Sequence, residues 1–408
     1  MDTAKRNAAR WISAIAAAMT VFLAAAFLLL PKADFSENEN RYLQAFPAFT
    51  FRDLKDGTYT ERLVSYFSDH FPFRDAFMTV KTETEILLGK REISGIFIAK
   101  DGSLVEEYRR PVNTDRVVRQ MGKFSAAVLG RTREENRALR VTLMLVPTAS
   151  EILREQLPEN ATLLSQEQTA SEIEEGIRKI TEEEGLPEVR TVHLKERLLE
   201  KEKERLALED GGERENNRLY YRTDHHWTTF GAYQGYLAFC GSAAIDALPE
   251  DAFRRTAVSE DFRGTIWSKL NDARFPGDRI EIWERKDTLP GITMYCEDTD
   301  KTSDSLCNME WLQKKDKYSM FLDNIHPLIE ITNKNADTPR GLLLIKDSYA
   351  NCMVPFLAEH FRKIYVLDTR YYKKGPSAFV GEHPEITDVL LLYNMNTLDA
   401  DTGIGGIY

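Results

Sequence analysis

The chain is poor in the residues that most directly signal chemistry. Of 408 residues only 4 are cysteine and 7 are histidine, so any site built on them is easily located. The cysteines (Cys240, Cys296, Cys307 and Cys352) include no Cys-x-x-Cys pair, and a thiolate zinc site is not indicated. Positive charge is also scarce. There are 54 lysines and arginines against 65 acids, and the net charge of −11 argues against a nucleic-acid partner. No internal repeat or low-complexity tract stands out. Beyond the first 30 residues no run is long and apolar enough to cross a bilayer.

The N-terminus is the exception. Residues 11–30 are uncharged, and Lys5, Arg6 and Arg10 precede them. This pattern predicts a single transmembrane helix with its N-terminus in the cytoplasm and the remainder of the chain outside the cell membrane. The run is longer than a usual signal core, and no Ala-x-Ala site follows it, so a retained signal anchor is expected rather than a cleaved peptide. Outside the membrane a disulfide is allowed. Cys296 and Cys307 flank a polar loop and are spaced either to pair or to stay free, whereas Cys240 and Cys352 read as small apolar residues on buried helix faces.

Residues 31–90 read as a juxtamembrane lead-in. It is helical over 60–88 and broken at Asp69-His70-Phe71-Pro72-Phe73-Arg74. Residues 96–105 predict a hairpin about Asp101-Gly102, and 113–129 a helix capped by Asn113 or Thr114. The apolar run 141–147 has the look of a strand buried on both faces. A helix over 165–184, a strand over 189–194, a charged helix and loop over 195–217 and a helix over 231–240 follow. Residues 252–340 lack helical period and predict a β-rich insertion. Strands at 342–345, 363–367 and 387–392, with a helix over 353–361, complete the rhythm of an α/β domain spanning 91–408 around a largely parallel sheet.

Chemistry concentrates in two places. Tyr220-Tyr221-Arg222-Thr223-Asp224-His225-His226-Trp227-Thr228 places two histidines beside an acid, and imidazole is the side chain best suited to move protons near neutral pH. The i, i+2 spacing of Asp224 and His226 puts both on one side of an extended segment, with His225 pointing the other way. Ser348 follows the strand 342–345 and precedes a helix, at the edge of the sheet where ligands of α/β folds gather. That is a nucleophile's position, and equally that of an ordinary N-cap. Asn394 and Asn396 follow the last strand as candidate oxyanion donors, and Thr148 and Ser150 follow another as candidate pocket lining. Tyr318, Asp323 and His326 read as ordinary surface of the insertion. Adjacent residues seldom chelate one ion well, so Asp224, His225 and His226 do not predict a metal.

The block from Thr223 to Ala232 resembles the signature of the DHHW protein family. That family is similar to the periplasmic alginate O-acetyltransferases, which have an SGNH-hydrolase-like fold in permuted order, Asp and His preceding Ser. Asp347-Ser348-Tyr349-Ala350-Asn351 resembles their serine segment. The entry near residues 37–49, the break at 69–74 and the hairpin at 96–105 resemble the same group. The resemblance implies Ser348 as nucleophile, His226 as base and Asp224 as its orienting acid, with Asn396, Asn394, Tyr349, Asn351 and His225 toward oxyanion or substrate. It implies O-acetyl transfer to, or ester removal from, a cell-surface polysaccharide without a cofactor, beside a membrane-bound O-acyltransferase that supplies acetyl. The alternative is a non-catalytic glycan-binding or assembly subunit of the same fold. Lys346 stands where the related enzymes carry glycine, which predicts crowding before the serine.

Overall fold

The computed structural model describes residues 2–36, 41–287, 291–398 and 401–408, so part of the entry near residues 37–49 lies outside the described residues. The chain divides into two compact units, Met1–Lys90 with Ser268–Ala273, and Arg91–Trp267 with Arg274–Tyr408.

The first unit begins with helix α1 (Asp2–Leu29), of which Lys5–Leu29 is long and apolar enough to cross a membrane. Two short strands, β1 (Phe35–Ser36) and β2 (Arg41–Tyr42), pair antiparallel. Helices α2 (Phe51–Asp56), α3 (Thr58–Asp69) and α4 (Arg74–Leu87) follow. The break between the last two falls at Pro72, and Phe73 takes a left-handed conformation (φ 58°) at the corner.

The second unit opens with β3 (Glu92–Ile93), β4 (Ile96–Ile98) and β5 (Leu104–Glu106), the latter two turning about Gly102, whose φ of 82° suits a residue without Cβ. Then come α5 (Thr114–Glu134), capped by the Asn113 side chain, β6 (Arg140–Val146), α6 (Ala149–Ile152), α7 (Gln166–Glu183), capped by Ser165, and β7 (Arg190–Thr191). Helices α8 (Lys195–Ala207), α9 (Gly211–Asn216) and α10 (Thr229–Ala243) lead into β8 (Phe253–Phe262), α11 (Thr265–Leu270) and β9 (Asp278–Arg285). The chain ends with β10 (Ile292–Cys296), β11 (Lys301–Ser303), β12 (Leu328–Asn333), β13 (Gly341–Lys346), α12 (Val354–Leu357), β14 (Lys363–Leu367), α13 (Pro376–Glu382) and β15 (Ile386–Asn394).

Among the described residues eight strands form the central sheet, in the order β11-β10-β12-β14-β13-β15-β6-β7. From β14 to β7 every pairing is parallel. Those strands are apolar on both faces because helices cover both. Leu342, Leu344, Leu390 and Leu392 pack with α10 and α12 on one side. Leu343, Ile345, Val389 and Leu391 pack with α5, α7 and α13 on the other. This is the α/β class expected, a mostly parallel sheet flanked by helices.

Two expectations need correction. The β-rich stretch is not wholly an insertion, because β10, β11 and β12 extend the central sheet antiparallel, β12 pairing with β14. Among the described residues of that stretch, β8 and β9 stand apart and pair with each other antiparallel, with α11 between them in sequence. The helix expected over 353–361 is reduced to a 3-10 turn over Ser348–Cys352 and the four residues of α12, with Pro355 near the start of that short helix. All four cysteines are free thiols, so Cys296 and Cys307 do not close the hairpin. Burial raises both, Cys296 to about 11 and Cys307 to about 12.

Candidate active site

Parallel β13, β15 and β6 end level with one another, Lys346 opposite Leu392 and Asn394 opposite Val146. Ser348 lies two residues beyond that edge. The Asp-His-His-Trp block is not the extended segment the spacing suggested. Tyr220 and Trp227 form an antiparallel bridge. Tyr221 N–H donates to His226 O (3.2 Å) and Thr228 N–H to Leu219 O (2.9 Å), so residues 222–226 form a bent loop closed at its neck. Asp278 pins the loop's entry by accepting from the N–H of Arg222 (2.7 Å) and Thr223 (2.9 Å) and from Thr223 Oγ1 (2.5 Å). Burial pushes this carboxyl up to about 6 despite those donors.

Within the loop, Asp224 Oδ1 accepts from His226 N–H (3.0 Å) and from His226 Nδ1 (2.5 Å). Its Oδ2 accepts from Thr265 N–H (2.9 Å) and Thr265 Oγ1 (3.2 Å). Residue 264 must be glycine for this approach, since a Cβ there would sit 2.2 Å from the Asp224 side chain. Burial works to raise the Asp224 pKa, but His225, His226 and the Thr265 N–H outweigh it and hold the group far below the usual carboxylate range. Burial and neighbouring His225 push His226 down to about 4, against the pull of Asp224. At neutral pH His226 is therefore uncharged. Its Nδ1–H is committed to Asp224, and Nε2 presents a lone pair.

That Nε2 lies 2.7 Å from Ser348 Oγ. The serine segment is tied to the histidine loop at several points. Trp227 Nε1 donates to Tyr349 O (2.8 Å), and Tyr349 OH donates to His225 O. Tyr318 stacks on the His226 ring, centroids 3.8 Å apart and planes 13° from parallel. Its hydroxyl lies 3.0 Å from Ser348 O and 3.3 Å from Cys352 Sγ. Asp347 anchors the segment to β15. It accepts from Asn394 N–H (2.7 Å), Asn394 Nδ2 (2.8 Å) and Thr397 Oγ1 (2.6 Å), while its other oxygen accepts from Tyr349 N–H (2.9 Å).

The structure thus brings Asp224, His226 and Ser348 into one hydrogen-bonded line, and reassigns several of their neighbours. Asn394 is buried, with Nδ2 donating to Asp347 and Oδ1 accepting from Asn396 N–H, so it ties the end of β15 to the serine segment. Asn396 is half-buried, and its Oδ1 has no protein partner. Tyr349 is fully buried with its hydroxyl engaged, a clamp between loops rather than a substrate contact. Asn351 is buried with its Oδ1 unpartnered. His225 does not point away from His226. The two rings lie 3.9 Å apart, and His225 Nδ1 is 2.7 Å from Thr265 Oγ1. Thr148 and Ser150 do not line an open pocket, because both are buried and bonded to the Gln166 amide. Lys346 does not crowd the serine. Its chain is 2% exposed, and its ammonium lies 3.7 Å from Asp368.

The donor atoms of Asp224, His225 and His226 lie within 4.8 Å of one another, a set that can be read as metal-binding. Each oxygen of Asp224 and Nε2 of His226 is, however, already engaged in the bonds above. Sequence reasoning did not place Tyr318, Thr265 or Gly264 in the site. Tyr318 reads in sequence as ordinary surface of the insertion, and Gly264-Thr265 carries no motif of its own. A cavity of about 520 Å³ lined by Phe253, Trp283, Phe356 and Cys352 among others does not include Ser348 or His226.

With this geometry in place, the comparisons with known proteins can be read. The family model described as DHHW protein matches residues 208–367. A DHHW family protein from Eubacterium siraeum has the same fold at 23% identity and a TM-score of 0.59, the match covering 77% of this chain and 95% of that one. Bacillus cereus PatB1, solved with a sulfonyl adduct, matches at 20% identity and 0.56, covering 77% and 98%. The O-acetyltransferase domain of Pseudomonas putida AlgJ is a more distant match, at 13% identity and 0.42, covering 75% and 92%. No curated protein matches the chain. The matched residues 208–367 hold the histidine loop, the Tyr318 stack and the serine, so the similarity to the DHHW protein family covers the whole of this site.

Proposed function

We propose that the chain is an extracytoplasmic O-acyl transferase or esterase that works on acetyl esters of a cell-surface polysaccharide. The observation that carries this reading is the line Asp224 Oδ1–His226 Nδ1 (2.5 Å) and His226 Nε2–Ser348 Oγ (2.7 Å), with His226 held neutral. Ser348 Oγ attacks the acyl carbon as its proton passes to His226 Nε2. The carbonyl π pair moves to oxygen, and the oxyanion is held by Asn396 Nδ2 and a backbone N–H at the start of the Ser348 turn. Asp224 stabilises the imidazolium. Collapse expels the donor alcohol, which takes the proton from His226, and leaves an acyl-serine. A sugar hydroxyl or water then repeats the sequence in reverse. Ser348 is half-buried and lies outside the deep cavity, an arrangement that suits a polymer approaching an open face. The apolar α1 supports a place at the membrane, where a partner acyltransferase supplies the acetyl group.

The test uses the full chain in detergent. Wild type and Ser348→Ala are compared on a chromogenic acetyl ester, with and without a xylan- or chitosan-type oligosaccharide. A sulfonyl fluoride serves as nucleophile probe, since PatB1 carries a sulfonyl adduct. Ester turnover and a single sulfonyl adduct, both lost in the variant, are expected. Acetyl found on the oligosaccharide by mass spectrometry selects the transferase over the esterase. A folded wild type with neither turnover nor adduct sinks the reading and favours a non-catalytic glycan-binding or assembly role.

A further inference from the structure

Helices α3 and α4 are inside out. The side chain of α4 that is buried is Thr82, at 3% exposure, while Phe77 is 50% and Leu87 86% exposed. The polar side is the packed side: Thr79 and Thr82 donate to the carbonyls of Asn271 and Leu270, within the segment 268–273 of the same unit. Helix α3 has no buried residue at all; Val64 and Phe67 lie one turn apart on its exposed side, and exposed Phe71 follows just past its C-terminal end. Helices of 12 and 14 residues are marginal in water and normally owe their stability to a covered apolar face. Something must cover this one.

Ring contacts within the unit identify the cover. Phe67 lies 5.3 Å from Phe27 of α1, Tyr66 lies 6.2 Å from Phe27, and Phe73, at the corner between α3 and α4, stacks on Phe22 at 6.1 Å. Phe22 is eight residues before Leu30, so it lies about 12 Å down the helix axis from that end. If α1 spans the bilayer, the corner Phe71-Pro72-Phe73 is carried below the membrane surface with it. The geometry points to α3 and α4 as a membrane-inserted hairpin whose occupant is lipid: the exposed aromatic stripe sits in the acyl region of the outer leaflet, next to α1. Interfacial amphipathic helices bury their apolar faces about 5–10 Å deep, and aromatic rings concentrate at that level. This goes beyond the proposed reaction and does not depend on it.

The full chain is reconstituted into nanodiscs of phosphatidylcholine and phosphatidylglycerol that include a lipid with a photoactivatable diazirine on its acyl chain. Illumination, proteolysis and mass spectrometry then map the adducts. Adducts on residues 64–80 within about threefold of those on α1 are expected, because both sit at one depth. Adducts confined to α1 overturn the proposal, and cross-links from 64–80 to a second copy or another protein overturn it in favour of that partner. Phe71→Ser with Phe73→Ser should lose the 64–80 adducts while leaving those on α1. Intact mass reads anchor retention separately. If residues 1–30 prove to be absent, adducts on 64–80 still support lipid insertion and their absence refutes it.

Discussion

Replacing Asp224 by asparagine separates a catalytic triad from an ordinary capped loop. The carboxylate is surrounded by donors only: His226 N–H and Nδ1–H on Oδ1, Thr265 N–H and Oγ1 on Oδ2. An amide has one acceptor atom, and whichever way it is turned its NH2 faces two donors. With the amide oxygen toward Thr265, Nδ2 meets His226, and the ring keeps a hydrogen bond only by moving its proton to Nε2. That tautomer points N–H at Ser348 Oγ and cannot take its proton. With the oxygen toward His226, the tautomer is kept but the part-buried Thr265 N–H opposes the NH2, at about 1–3 kcal/mol, while the Thr265 hydroxyl can turn to accept from it. The first state disables the base and the second destabilises the loop. Removing the acid's role in a Ser–His–Asp site typically costs about 10⁴ in rate, or ~5 kcal/mol of barrier. Asp224→Asn should therefore lower kcat/KM on the acetyl ester by about that factor while far-ultraviolet circular dichroism stays native. The chemistry is refuted if the folded variant keeps its rate within about tenfold of wild type, because that is far less than loss of the working tautomer allows.

Further outcomes follow from the same geometry. His226 is pushed down to about 4, so the acid limb of kcat/KM should fall near pH 4 rather than 6.5. His225→Ala removes the neighbouring group that, with burial, depresses His226 and should move that limb upward in a pH-rate profile. The sign for stability agrees: between pH 4 and 6.5 the unfolded chain binds the His226 proton more readily, so this contribution falls away as pH drops through that window, and it should be absent from the melting curves of His226→Gln. Tyr318→Phe keeps the ring over His226 and should cost less than tenfold, whereas Tyr318→Leu also loses a stack of about 0.5–1.5 kcal/mol and should lower kcat/KM by up to a further tenfold or so. Gly264→Ala places a methyl 2.2 Å from Asp224 and should abolish turnover with a destabilisation of about 1–3 kcal/mol in thermal unfolding; an unaffected enzyme would mean that Gly264 does not lie against Asp224.

The parts of the site legible in the sequence are those fixed by local rules. Asp224 and His226 share a loop, and Ser348 follows a strand whose apolar run announces burial on both faces. Register was not legible. Asn394 and Asn396 are equivalent on paper, and the choice between them is made by Asp347, a buried carboxylate that burial drives upward and that needs the Asn394 and Thr397 donors to stay charged. The same limit applies to β10–β12. Their alternating burial is that of any half-covered antiparallel ribbon, and only pairing with β14 tells an extension of the central sheet from a separate insertion. Tyr318 was invisible because its partners are remote in sequence and its own neighbourhood is a short 3-10 turn without periodicity.

The two loops that meet at Ser348 are cross-braced in both directions, and this constrains how the site can vary. Trp227 reaches from the histidine loop to the carbonyl of Tyr349, and Tyr349 reaches back to the carbonyl of His225. Tyr318 holds the carbonyl of Ser348 while its ring covers His226. His226 and Ser348 are thus not positioned independently: a displacement of either loop strains the two hydrogen bonds that join them, Trp227 to Tyr349 and Tyr349 to His225, before it alters the 2.7 Å contact between His226 and Ser348. In the proposed reaction, preorganisation of this kind lowers the reorganisation needed when charge develops on the imidazole. It also explains why the tryptophan and the tyrosine accompany the acid, histidine and serine. Trp227 and Tyr349 touch no reacting atom, yet removing either loses one of the two hydrogen bonds that hold the serine segment to the histidine loop.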